Sequence, residues 1–193
     1  VKSSRLSIAV PWFVLALIIL GLAGWEAKGQ ESDSQAAGGG SFTHEESRSR
    51  LVCPKAWVMG EPKVTRNMTA IHLRLPPEGI EVTCSWSPLY EKMEDAVTRE
   101  FEQLQLTYGK DKVTRQPEMT VKNKPVFAFA IADGPSRDIP DRAGKEVGML
   151  YLTEAGPDEK NRWKIRIRAT VPKKSRESGI KHVEELLNTG LEW

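Results

Sequence analysis

Apolar positions fall along this chain in three regimes. Leu6–Trp25 is a continuous charge-free run, residues 26–50 hold Phe42 as their one large apolar side chain, and from about residue 51 apolar and polar positions alternate with regular periods. The first regime, LSIAVPWFVLALIILGLAGW, is 20 residues long. As a helix it covers about 30 Å, the thickness of a bilayer core. Trp12 and Trp25 lie toward its two ends, at headgroup depth. Pro11 falls early, where a missing N–H costs least. Lys2 and Arg5 precede the run and hold the N-terminus in the cytoplasm by the positive-inside rule, sending the remainder to a periplasmic or other extracytoplasmic space. Residues 1–25 are therefore expected to form a retained single-pass membrane anchor. A cleaved signal peptide ending near Gly21 and Ala23 is the competing reading, against which the run exceeds the usual signal length.

Residues 26–50, EAKGQESDSQAAGGGSFTHEESRSR, are rich in Gly, Ser and charge and are expected to form a flexible linker. Such a tether of 25 residues has an end-to-end distance of about 25–30 Å. The third regime, 51–193, reads as an exported domain. Ile71, Leu73 and Leu75 alternate with polar residues, Pro76-Pro77-Glu78-Gly79 makes a turn, and Ile80, Val82, Cys84 and Trp86 alternate again, which predicts a hairpin. Ser87-Pro88 resembles a helix start, and Tyr90, Met93, Val97, Phe101 and Leu104 form one stripe ending near Gly109. Val126–Ile131, Val147–Thr153 and Arg162–Val171 read as strands. Ser175 or Ser178 caps a last helix with Ile180, Val183, Leu186 and Leu187 inward and Gly190 at its end. Two helices on a mostly antiparallel sheet make an α+β fold.

Charge and composition narrow the function. The chain has 28 Lys+Arg and 26 Asp+Glu, and without Lys2 and Arg5 the counts from Glu26 onward are equal. This balance argues against a general nucleic-acid binder. No phosphate loop, dinucleotide glycine fingerprint, HExxH or GxSxG occurs, so no cofactor, metal ligand or catalytic residue is assigned. His44, His72 and His182 lie far apart, in the tether, on an outward strand face and on the polar side of the last helix. His44 with Glu45 and Glu46 has no recognised metal-ligand spacing. Cys53 and Cys84 allow one intramolecular pairing. In an oxidising compartment a disulfide is expected, worth about 3–4 kcal/mol in the chain-entropy model; two free core thiols are the alternative.

Two features are candidate partner-binding elements. Arg162, Lys164, Arg166 and Arg168 line one face of a strand over about 20 Å and would meet an acidic surface or lipid phosphates; otherwise they form a solvated face balanced by Glu146 or Glu154. The segment Asp133–Lys145, DGPSRDIPDRAGK, with Asp138 and Asp141, is longer than most hairpin loops and is a candidate contact loop.

The segment Leu73-Arg74-Leu75-Pro76-Pro77-Glu78-Gly79 resembles the strand-then-LP.G entry of PsbP-like domains, and the late hairpin with its closing helix is similar to that family. The resemblance covers residues 68–193, with Ile80 where many members carry Trp, and transfers no functional motif. It implies a non-catalytic extrinsic domain that docks on photosynthetic membrane complexes. The expected function is thus a single-pass accessory subunit whose exported domain docks on and stabilises a larger membrane complex, photosynthetic or respiratory. A tethered small-ligand binder and a membrane-bound hydrolase are the alternatives.

Overall fold

The computed structural model describes residues 38–132 and 146–193. The charge-free run, residues 26–37 of the expected tether, and the Asp133–Lys145 loop with Asp138 and Asp141 lie outside the described residues. No helix among the described residues is long and apolar enough to cross a membrane.

The predicted hairpin forms β5 (Met68–Leu75) and β6 (Ile80–Pro88). They are joined by one 3-10 turn over Pro76–Glu78, closed by Gly79 at φ 65° with its N–H on the Pro76 carbonyl. Pro favours the first turn position, and Gly takes the left-handed conformation without a Cβ clash. Strands β9 (Lys124–Ile131), β10 (Glu146–Ala155) and β11 (Trp163–Pro172) follow the other apolar runs. They assemble in the order β5-β6-β11-β10-β9, every neighbour antiparallel. Short strands complete the nine-stranded sheet: β3 (Val58–Met59) and β4 (Lys63–Thr65) on β5, β7 (Val113–Arg115) and β8 (Met119–Val121) on β9. A mostly antiparallel sheet with two helices is the α+β arrangement expected.

Helix α1 (Met93–Tyr108) covers β9 and β10 on one face. Met93, Ala96, Val97 and Leu104 pack there on Phe127, Phe129, Leu150 and Leu152. Helix α2 (Arg176–Gly190) covers β11 on the other, burying Val183, Leu186 and Leu187 against a larger core that includes Leu73, Cys84, Trp86, Ile165 and Ile167. Helix α1 begins later than Ser87-Pro88 predicts. Those two residues stay in β6 because they pair with Lys164 and Trp163, and the Leu89 N–H bonds to the Arg162 carbonyl. Tyr90, expected on the buried stripe, is 92% exposed as a result.

The linker expectation fails from Gly40 onward. Residues Gly40–His44 and Ser49–Cys53 are strands β1 and β2, separated by a 3-10 turn, and with β12 (Leu191–Glu192) they form a second, three-stranded sheet. Polar composition is misleading here. Ser47 and Ser49 are buried, but each finds a hydroxyl partner in the other, so the hairpin can be enclosed without an unpaired group.

The expected disulfide is also absent: Cys53 and Cys84 are free thiols, both buried. Cys53 ends β2 in the small sheet and Cys84 lies in the middle of β6, so the two belong to different sheets of one core. Burial pushes the Cys53 thiol up to about 11 and the Cys84 thiol higher still, leaving both weak nucleophiles. A thiol reagent such as Ellman's reagent should therefore label neither cysteine in the native chain and both after unfolding, with no reductant added. Labelling of neither thiol after unfolding would instead reveal a bond between them.

Candidate functional site

Strand β11 places Arg162–Arg168 as its sequence pattern predicts, with Ile165, Ile167 and Ala169 inward and the cations on the α1 side. The cations are not a solvated ladder. Arg162, just before β11, makes a two-pronged contact with Glu154, Nε to Oε1 at 2.7 Å and Nη2 to Oε2 at 2.6 Å, and donates to the Glu91 carbonyl at 3.1 Å. The hydrogen-bonded Glu154 carboxylate holds the Arg162 guanidinium above its usual value. Glu154 is one of the two balancing residues the sequence suggested.

Lys164 and Arg166 converge on Glu100, a buried carboxylate of α1. Lys164 Nζ lies 3.6 Å from Oε2, and the Arg166 Nε and Nη2 each lie 2.9 Å from Oε1. Arg168 donates to the Tyr108 hydroxyl at 2.6 Å. Helix α1 thus supplies Glu100 to Lys164 and Arg166 and Tyr108 to Arg168, while β10 supplies Glu154 to Arg162. Arg162, Lys164 and Arg166 are each paired with a carboxylate of the same domain. Asp138 and Asp141, the other candidate contacts, lie outside the described residues.

A second polar cluster was not foreseen. His44, assigned to the tether by sequence, is 4% exposed. Its ring stacks on Trp86 at 5.6 Å and 6°, and meets Trp163 edge-on at 4.6 Å. Nδ1 accepts the Ser47 backbone N–H at 3.3 Å and lies 3.0 Å from the Ser47 hydroxyl. The Ser47 hydroxyl is 2.7 Å from that of Ser49, which accepts the Trp86 indole N–H at 2.8 Å. With Nδ1 used as an acceptor, the ring is neutral with its proton on Nε2, 3.6 Å from Glu46 Oε2. Only the spacing of His44, Ser47 and Ser49 could have signalled this cluster, and it carries no meaning until Trp86 stands opposite.

The arrangement is a lock rather than a nucleophile. Ser47 is 1% exposed, and its hydroxyl also reaches the His44 carbonyl. His72 faces the Thr83 hydroxyl at 3.4 Å and His182 faces Glu185 at 4.0 Å. Among the described residues no group of three His, Cys, Asp or Glu side chains is placed to hold a metal. The β10–β11 turn forms an open hollow lined by Glu154, Gly156, Asp158, Glu159 and Arg162. In it Asp158 accepts from the Lys160 and Asn161 backbone N–H groups and the Asn161 side chain, which hold its carboxyl below its usual range.

No protein-family model matches the chain, and no curated protein sequence does. Solved structures do. The solution structure of cyanobacterial PsbP from Synechocystis sp. PCC 6803 matches 86% of this chain and 98% of its own, with 8% identity and a TM-score of 0.49. LpqN of Mycobacterium tuberculosis, described as involved in cell envelope biogenesis, matches 79% of this chain and 88% of its own at 9% identity and a TM-score of 0.51. The Ran-binding protein Mog1p of Saccharomyces cerevisiae matches 81% and 96% respectively, at 12% identity and a TM-score of 0.50. The likeness to LpqN and Mog1p is one of fold, at identities that transfer no residue role.

Two outcomes follow for stability. Glu100→Gln strands Lys164, 16% exposed, and Arg166 beside a neutral amide. It should cost about 2–3 kcal/mol in urea unfolding, and a Lys164→Met change in the same chain should restore part of that. Desolvation holds the His44 pKa below its ordinary value, against the pull of Glu46. The unfolded chain then takes up a proton first as pH falls. The stability owed to neutral His44 is complete above about pH 6.5 and declines below it toward the folded value. His72, lowered chiefly by burial, acts in the same direction. Unfolding free energies measured from pH 8 to pH 5 should therefore fall less steeply for His44→Gln than for the native chain, with His72→Gln measured alongside to separate the second contribution.

Proposed function

We propose that this chain is a non-catalytic accessory subunit, anchored by residues 1–25, whose exported domain docks on and stabilises a larger membrane protein complex. The observation that carries this reading is the use made of the polar side chains. Glu100 with Lys164 and Arg166, Arg162 with Glu154, and His44 with Ser47 and Ser49 are all spent on joining elements of the domain to one another. Arg162 and Glu154 line the open hollow at the β10–β11 turn, and there each is bonded to the other.

The charge-free run from Leu6 to Trp25 supports the anchor, and the Lys2–Arg5 flank supports an extracytoplasmic domain. Free buried thiols are compatible with that compartment, since burial shields both from oxidants. The structural neighbours lend support of a general kind: on the same fold, Mog1p is a Ran-binding protein and LpqN is involved in cell envelope biogenesis. A photosynthetic or respiratory complex is the finer reading, and it rests on the Leu73–Gly79 resemblance to PsbP-like domains.

Purification of the full chain from its own membranes in mild detergent tests this. The expected result is one or more membrane proteins recovered in fixed stoichiometry with it, and a C-terminal tag that protease reaches only from the extracytoplasmic side. Recovery as a freely soluble chain trimmed near residue 23, or as a lone monomer carrying a small ligand, would overturn the docking reading.

A further inference from the structure

Helix α1 covers β9 and β10 but leaves the neighbouring half of the same sheet face open among the described elements. There β5 turns Met68, Ala70, His72 and Arg74 outward, and β6 turns Thr83, Ser85 and Ser87. The register places Lys63 beside Ala70 and Ser85, and His72 beside Thr83 and Arg168, so three strands supply each row. Lys63, His72, Arg74 and Arg168 are all exposed. Glu81 stands opposite Arg74 in register and offsets one of three permanent cations.

Three of the cations that the sequence suggested for a partner, Arg162, Lys164 and Arg166, are thus paired within the domain, while Lys63 and Arg74 join Arg168 on the open half-face. Burial lowers the His72 pKa, with Glu81 pulling it up and Arg74 and Lys63 pulling it down, so charges of both signs reach this floor.

We infer that this open half-face receives an acidic, extended segment of a partner protein. The inference rests on the docking reading above and assigns it a surface. The floor is made of small side chains, Ala70, Thr83 and Ser85, over which an extended chain lies flat, with hydroxyls to bond it and cations on both sides. A lipid bilayer fits the shape less well. Helix α1 stands about 10 Å above the sheet along one side, so a planar surface would meet the helix before the floor. A nucleic acid would want large aromatic side chains to stack on, and the outward positions of β5 and β6 hold no Phe, Tyr or Trp.

The test uses the full chain in mild detergent and a fluorescently labelled decaglutamate peptide, followed by anisotropy at low salt, where exposed charges act over longer distances. The native chain should bind the peptide. Lys63→Glu with Arg74→Glu should weaken binding by about fivefold or more, and Lys181→Glu, an exposed cation of α2 on the other side of the sheet, should leave it unchanged. Lys63→Gln with Arg74→Gln gives the same reading if the reversed pair fails to fold. No binding by the native chain, or equal weakening by Lys181→Glu, would overturn the inference. So would capture of the native chain by phosphatidylglycerol vesicles with the same dependence on Lys63 and Arg74, since that would make the face a lipid contact. If membrane partners still co-purify with the doubly reversed chain, docking uses another surface and the accessory reading stands without this one.

Discussion

Trp86 stands at the centre of this structure, and its burial imposes a condition on everything around it. An indole can leave water only if its N–H finds an acceptor, because an unpaired buried donor costs about 1–3 kcal/mol. Here the acceptor is the Ser49 hydroxyl, contributed by the second sheet. That one bond ties the small sheet to the large one. His44 closes over the same ring face, and Ser47 links His44 to Ser49. The segment just before the predicted domain boundary is consequently part of the domain's core.

On the opposite face of the sheet a similar condition acts through charge. Strand β11 must turn Lys164 and Arg166 toward the helix side, since the period of two that buries Ile165 and Ile167 leaves no choice. Helix α1 can approach that strand only by bringing a counter-charge, and Glu100 is the residue that does so, one carboxylate serving two cations. A buried ion cluster of this kind adds less to net stability than apolar packing would, but it fixes where the helix sits along the strand. It also leaves the surface potential of the domain to other residues.

Those residues lie on the uncovered strands. A sheet with a helix over one half of a face has, by construction, a floor and a wall, and the floor here combines small polar side chains with cations. The domain is neutral by count from Glu26 onward, yet its opposite charges are distributed unevenly. Glu100 and Glu154 are paired with Lys164, Arg166 and Arg162 inside the fold, while Lys63, Arg74 and Arg168 stay exposed on the open half-face. Uneven placement of the two signs over the surface is enough to give a neutral chain a positive face.

The sequence by itself determined the elements whose signal is local. The β5–β6 hairpin, the stripe of α1 from Met93 to Leu104, the alternation along β11 and the Leu186–Leu187 face of α2 all follow from side-chain period and turn residues within a few positions. Tertiary structure decided what each polar residue meets. Trp86 and Ser49 are 37 residues apart, and Arg166 and Glu100 are 66 apart. Periodicity states which side of an element a residue occupies and is silent about the element laid against it. For that reason His44 in a stretch of Gly, Ser and Glu reads as solvated, and Lys164 and Arg166 of β11 read as a surface, until the fold brings Trp86 and Glu100 across from them.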